Sequence, residues 1–269
     1  INGMFGGLAP AIAGVLAGAV LEVSSWRMVF ILPGLVVMAT GVAFLWAMRQ
    51  GKLQDVKIVH QEAPQLGMSD TVKVYIILTL TMIVGAICYN VAQTSLPKVF
   101  EEGLGGLFGQ GTSAVGTAIM IVYGVGGVVQ VLTGHMADRY PLKWIYALFL
   151  LLQAPVMLLV AGNAGTLMFT AALLMVTFNI GAIPAENGLL ARYTPGKWQA
   201  TAYGMKFIIT FSFSGLGIYL TAKTKELTGS FDAIYIAMSA ALVVTALVAM
   251  SLPSERRHAM HAPTPLPAE

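Results

Sequence analysis

The sequence predicts an all-α integral membrane protein with eight membrane-crossing helices, and three features carry that prediction. Of its 269 residues 57% are apolar and 10% charged, and 15 Lys and Arg with 12 Asp and Glu cannot supply the polar shell that a soluble core of this size needs. The mean hydropathy of +0.78 is concentrated in long apolar runs separated by short polar ones. Those runs lack the strict alternation of barrel strands, which leaves helices as the structure that satisfies its own backbone in lipid.

Runs of about 18 or more apolar residues fall at 3–21, 28–48, 74–96, 114–133, 144–161, 166–191, 201–222 and 231–252. The first carries Pro10 with Gly14 and Gly18 at small-xxx-small spacing, which suits close helix packing. The second follows the short polar turn at Ser24, Ser25 and Arg27. A polar stretch at 49–73, with Pro64 and Gly67, reads as a cytoplasmic interdomain linker. The third span should be closed by Pro97. The fourth ends in "TGHMADRYPLKW", which puts Asp138, Arg139 and Lys143 within six positions, and the fifth starts directly after it. The sixth and seventh each carry an interior charge, Glu186 and Lys206, and the eighth leads into a polar tail at 253–269. A single cysteine, Cys88, excludes an intrachain disulfide. The chain opens at Ile1 with no signal-peptide pattern and reads as a piece of a longer protein.

If the spans alternate in direction, one side collects Arg49, Lys52, Lys57, Lys73, Arg139, Lys143, Arg192, Lys197, Arg256 and Arg257, while the other has Arg27, Lys98, Lys223 and Lys225. The richer side is the cytoplasmic one. The net charge of +3 fits this orientation and an anionic lipid surface, with no basic and aromatic patch for nucleic acid.

Polar uncharged groups inside spans are candidates for a solute cavity near the bilayer midplane. They are Tyr89, Asn90, Gln93 and Thr94 in the third span, Tyr123 and Gln130 in the fourth and Asn179 in the sixth, joined by Lys206. Each could equally make a bond between helices. Glu186 lies six residues inside Arg192, about 9 Å along a helix, and Lys206 six residues beyond Ala200, at about the same depth. An acid so placed pairs with a cation or serves function directly. Lys206 and Arg139 are the candidate partners, and a substrate or proton site is the third reading; the stem of Lys206 could also snorkel to the interface.

Shifting the chain by 205 positions aligns Trp26 with Phe231, Phe30 with Tyr235 and Thr40 with Thr245, the trace of a repeated bundle. "GHMADRYPLK", at 134–143, resembles the loop signature of the major facilitator superfamily: a Gly, then an Asp-Arg pair, then a basic residue after a short turn, with Pro141 where Gly is commoner. "SSWRMVF", at 24–30, resembles that family's outer turn between its fifth and sixth helices, and "PAENGLLARYTP", at 184–195, its fourth or tenth helix. The first span matches the Gly-Pro signature of the family's drug antiporters at Pro10 and Gly14, but has Ala9 before the proline.

The resemblance implies a truncated fold of two six-helix bundles. Residues 1–48 would be the last two helices of the first bundle, 49–73 the linker, 74–252 the whole second bundle and 253–269 a cytoplasmic tail. It also implies a cytoplasmic gate built from Gly134, Asp138, Arg139, Lys143, Glu186 and Arg192. Gly134 would let helices approach; Asp138 would cap a helix start, either locally or across the bundles at residues 2–6; and Arg139 would pair with Glu186. A loop that only needs charge for solubility is the plainer alternative.

The activity implied is secondary transport of a small organic solute by alternating access, proton coupled, in a bacterial inner membrane and monomeric when complete. A drug or metabolite efflux antiporter is the variant within that fold; a channel or membrane scaffold is the alternative outside it. An enzyme is not indicated: His60, His135, His258 and His261 are scattered, no spacing suits a metal and no cofactor loop is present. The expected partners are the solute, lipid and protons, with no cofactor.

Overall fold

The computed structural model describes residues 2–52, 68–109 and 112–253. Side chains are undescribed at several positions of the first helix, among them residues 2–5, 14 and 18, and the central part of the linker, 53–67, and the tail from 254 lie outside the described residues. The elements among the described residues are helices: α1 (Asn2–Val23), α2 (Trp26–Arg49), α3 (Met68–Gly103), α4 (Thr112–Arg139), α5 (Leu142–Val160), α6 (Gly165–Tyr193), a 3-10 turn at Gly196–Trp198, α7 (Gln199–Thr228) and α8 (Asp232–Met250). Among the described residues seven helices, α2 to α8, are long and apolar enough to cross a membrane.

Every expected span is a helix, but the ends differ. The third does not stop at Pro97; α3 runs on to Gly103 and its 36 residues reach about 54 Å. Leu96, Phe100 and Leu104 are buried beyond or beside the proline, and Phe100 packs on Phe169 at 5.9 Å. Tertiary packing of that stripe outweighs the one backbone bond that proline removes. The seventh likewise continues to Thr228, where Gly229 adopts a left-handed φ of 75° and its N–H closes on the Lys225 carbonyl at 2.9 Å.

Helices α3 to α8 form the packed body. α6 is central, lying against α4 and α5, with α8 against α5 and α7 against α3. Several of the contacts depend on glycine, among them α3 with α7 and α4 with α6. A Cβ on Gly217 of α7 would stand 3.2 Å from the Ile87 carbonyl oxygen of α3, and one on Gly126 of α4 would stand 3.1 Å from the Ile180 side chain of α6. Helix α1 lies along α4 and touches α2 only slightly. Helix α2 has no buried residue. The two positions aligned by the repeat show the contrast: Phe30 in α2 is 71% exposed and Tyr235 in α8 is 1% exposed. The apolar surface of α2 is therefore suited to lipid or to further helices.

Candidate functional site

The two interior charges meet. Lys206 Nζ lies 2.5 Å from Glu186 Oε1, with both side chains about nine-tenths buried. Lys206 also donates to Asn187 Oδ1 at 2.6 Å, and Tyr146 of α5 donates from its hydroxyl to Glu186 Oε2 at 3.0 Å. Tyr203 OH holds the Asn187 backbone carbonyl at 2.9 Å. Thr81 of α3, fully buried, sits beside the Tyr146 hydroxyl. Four helices thus converge on one charge pair, and each carboxylate oxygen has a donor. The expected Glu186 and Arg139 pair does not form; Arg139 is exposed in the last turn of α4, while Lys206 stands at the matching depth of the neighbouring helix.

Beside the pair opens a cavity of about 240 Å³ between α3, the end of α6 and the start of α7. Its walls are mostly apolar, with Leu78, Met82, Leu190, Met205 and Ile209, and Trp198 stands at its rim. Polar groups are few: Tyr75, three threonines and Lys206. Tyr75 OH donates to Thr194 Oγ1 at 2.9 Å, which fixes its ring against the wall. Glu186 does not line the cavity, so the cation faces the space and the acid stands behind it.

Of the residues expected to line a cavity, only Lys206 lines this one. Asn90 donates to Ser214 Oγ of α7 at 2.9 Å, Gln130 to the Ile180 carbonyl at 3.4 Å and Asn179 to Gln153 Oε1 at 3.5 Å, all bonds between helices. Tyr89 and Tyr123 pack edge to face at 6.4 Å. Gln93 and Thr94 are exposed on α3. Sequence reading missed Tyr146, Asn187 and Trp198. Asn187 adjoins an interior acid, which was a usable signal, whereas Tyr146 sits in an apolar run with nothing to mark it.

Residues 1–218 match the sequence model of the Major Facilitator Superfamily. The chain belongs to that superfamily. No match was found among curated proteins. As a Major Facilitator Superfamily protein it is an integral membrane transporter, and such a transporter takes a small-molecule substrate within the membrane.

The loop at 134–143 has a defined shape here. Asp138 and Arg139 close α4, and Pro141, with φ of −59°, starts α5 without a side-chain cap. Asp138 is exposed and makes no hydrogen bond or ion pair among the described residues, so the local cap is absent, while the expected contact with residues 2–6 falls largely on positions whose surroundings lie outside the description. Gly134 is not a close-approach position: among the described residues a Cβ there would meet nothing within 4 Å, because α4 meets α6 at Gly126 instead. Lys143 does have a partner. Its Nζ donates to the Leu252 carbonyl at 2.6 Å, just past α8, where free carbonyls and the negative helix end attract a cation. Tyr193 OH donates to the Pro253 carbonyl at 3.1 Å, and Arg192 lies in the last turn of α6.

Proposed function

We propose that this protein is a secondary active transporter that moves a small organic solute by alternating access, with a proton carried through Glu186. The observation that carries the reading is the ion pair that Glu186 makes with Lys206, the cation in the wall of a mostly apolar cavity. A buried charge pair costs desolvation free energy that a purely structural contact could avoid, so its presence inside a span favours a role in function. Protonating the carboxylate would break the pair and free the lysine, which gives two local states of differing charge. The end of the bundle carrying Arg139, Lys143 and Lys197 is the cytoplasmic one in this reading, and the exposed Asp138 carboxylate is free to cap the start of α1 in another conformation.

The test is uptake by the purified full-length protein in liposomes with an imposed pH gradient. Accumulation that collapses with a protonophore, and that Glu186→Gln lowers by about tenfold or more without loss of membrane insertion, is the expected result. Wild-type uptake by Glu186→Gln between acid and neutral pH would exclude the proton role.

A further inference from the structure

Resting on that reading, the geometry points to the substrate class: we propose that the cavity beside Lys206 binds a small organic anion with an apolar body, its carboxylate seated on the Lys206 ammonium. Three features of the structure support this. The first is the charge asymmetry. Lys206 is the one cation among the residues lining the cavity and no acid is among them, since Glu186 approaches Lys206 from the side of Tyr146 and α5. A solute entering the cavity therefore meets the cation before the acid that neutralises it.

The second is donor count. An ammonium has three N–H groups; those of Lys206 reach Glu186 at 2.5 Å and Asn187 at 2.6 Å, and no third acceptor is present among the described residues. One donor is left for a ligand oxygen without breaking either bond, and a second becomes available if Glu186 turns away. Asn187, whose own backbone is held by Tyr203, keeps the amine in place while that exchange occurs. The third is the wall chemistry. Leu78, Met82, Met205 and Ile209 offer apolar surface, and Trp198 an aromatic face, to the remainder of the solute. Such a lining with one convergent charge is the usual form of a small-ligand site, and about 240 Å³ suits a solute smaller than a drug-sized molecule. A neutral sugar would leave most of its hydroxyls without partners against these walls. An amine would meet like charge.

Trp198 supplies a readout independent of transport. The full-length protein in nanodiscs of phosphatidylcholine only is titrated with benzoate, benzamide and benzylamine while tryptophan emission is followed, with Trp198→Phe as the blank. Benzoate should bind saturably at millimolar concentration or below, and about tenfold more tightly than either isostere. Lys206→Gln should remove that preference, while Glu186→Gln, which takes away the competing charge and leaves the amine, should tighten benzoate several-fold. A scaffolding role for the pair would instead weaken binding in both variants. Equal affinity for the three probes, absent benzoate binding, or a preference that survives Lys206→Gln overturns the proposal. Benzoate that binds in this pattern but is never carried across a membrane would sink the transport reading and leave the site; saturable carriage of a neutral solute, unaffected by Lys206→Gln, would do the reverse.

Discussion

Replacing Lys206 by methionine removes the charge while keeping most of the side-chain volume, so the loss falls on two contacts, to Glu186 at 2.5 Å and to Asn187 at 2.6 Å. Glu186 then retains a single donor, Tyr146 at 3.0 Å, and its other oxygen is left buried without a partner. Removing one member of a buried pair costs about 3–5 kcal/mol, whereas replacing both with uncharged groups of similar size is close to neutral. Glu186→Gln with Lys206→Met should therefore recover most of the loss, because the Gln carbonyl still accepts from Tyr146. The expected coupling between the two sites is about 2–4 kcal/mol. With roughly 2–4 °C per kcal/mol for a chain of this size, Lys206→Met should melt about 10 °C below wild type and the double variant within a few degrees of it. The assay is thermal unfolding of the full-length protein in one detergent, followed by circular dichroism for all four members of the cycle. If Lys206→Met melts with wild type, or the double variant is as weak as the single, the pair does not hold the helices together.

Gly217→Ala should lower stability by about 1–3 kcal/mol in the same melt, since its Cβ meets the Ile87 carbonyl at 3.2 Å and neither backbone can yield without parting α3 from α7. Lys143→Ala should cost about 1 kcal/mol and speed amide exchange at residues 250–252, because the Leu252 carbonyl loses its donor; unchanged exchange there would show that α8 is held otherwise. Gln130→Leu should leave the melt unchanged or raise it slightly, as its Oε1 has no partner among the described residues and its one bond is long at 3.4 Å. A transport defect in that variant at unchanged stability would return Gln130 to the solute path.

Helix existence was legible because apolar run length is a direct physical requirement of lipid, and every span foreseen is a helix. Helix ends were less so: Pro97 is a breaker locally, but Phe100 and Leu104 pack beyond it, and that contact is set by residues of α6 far along the chain. The site followed the same rule. Axial depth can be counted along a sequence, and it placed Glu186 and Lys206 at one level; rotation about the helix cannot, and so the resemblance could favour Arg139 until the faces were known. Gly134 and Gly126 look alike in sequence. Only the approach of Ile180 and Thr177 to one of them distinguishes a packing glycine from an open one. Tyr146 gives no sign of its role because its partner, Glu186, is forty positions away.

The bonds from Lys143 to the Leu252 carbonyl and from Tyr193 to the Pro253 carbonyl make the segment just past α8 a fixed mounting point on α5 and α6. A spin label or fluorophore at the neighbouring exposed Ser251 would ride with those helices as a rigid arm instead of reporting its own wobble. Paired with a second label at exposed Phe30 on α2, which is barely tied to the rest, it forms a ruler between the two parts of the chain. A change in that distance when solute is added would then register relative displacement of whole elements, free of local fraying.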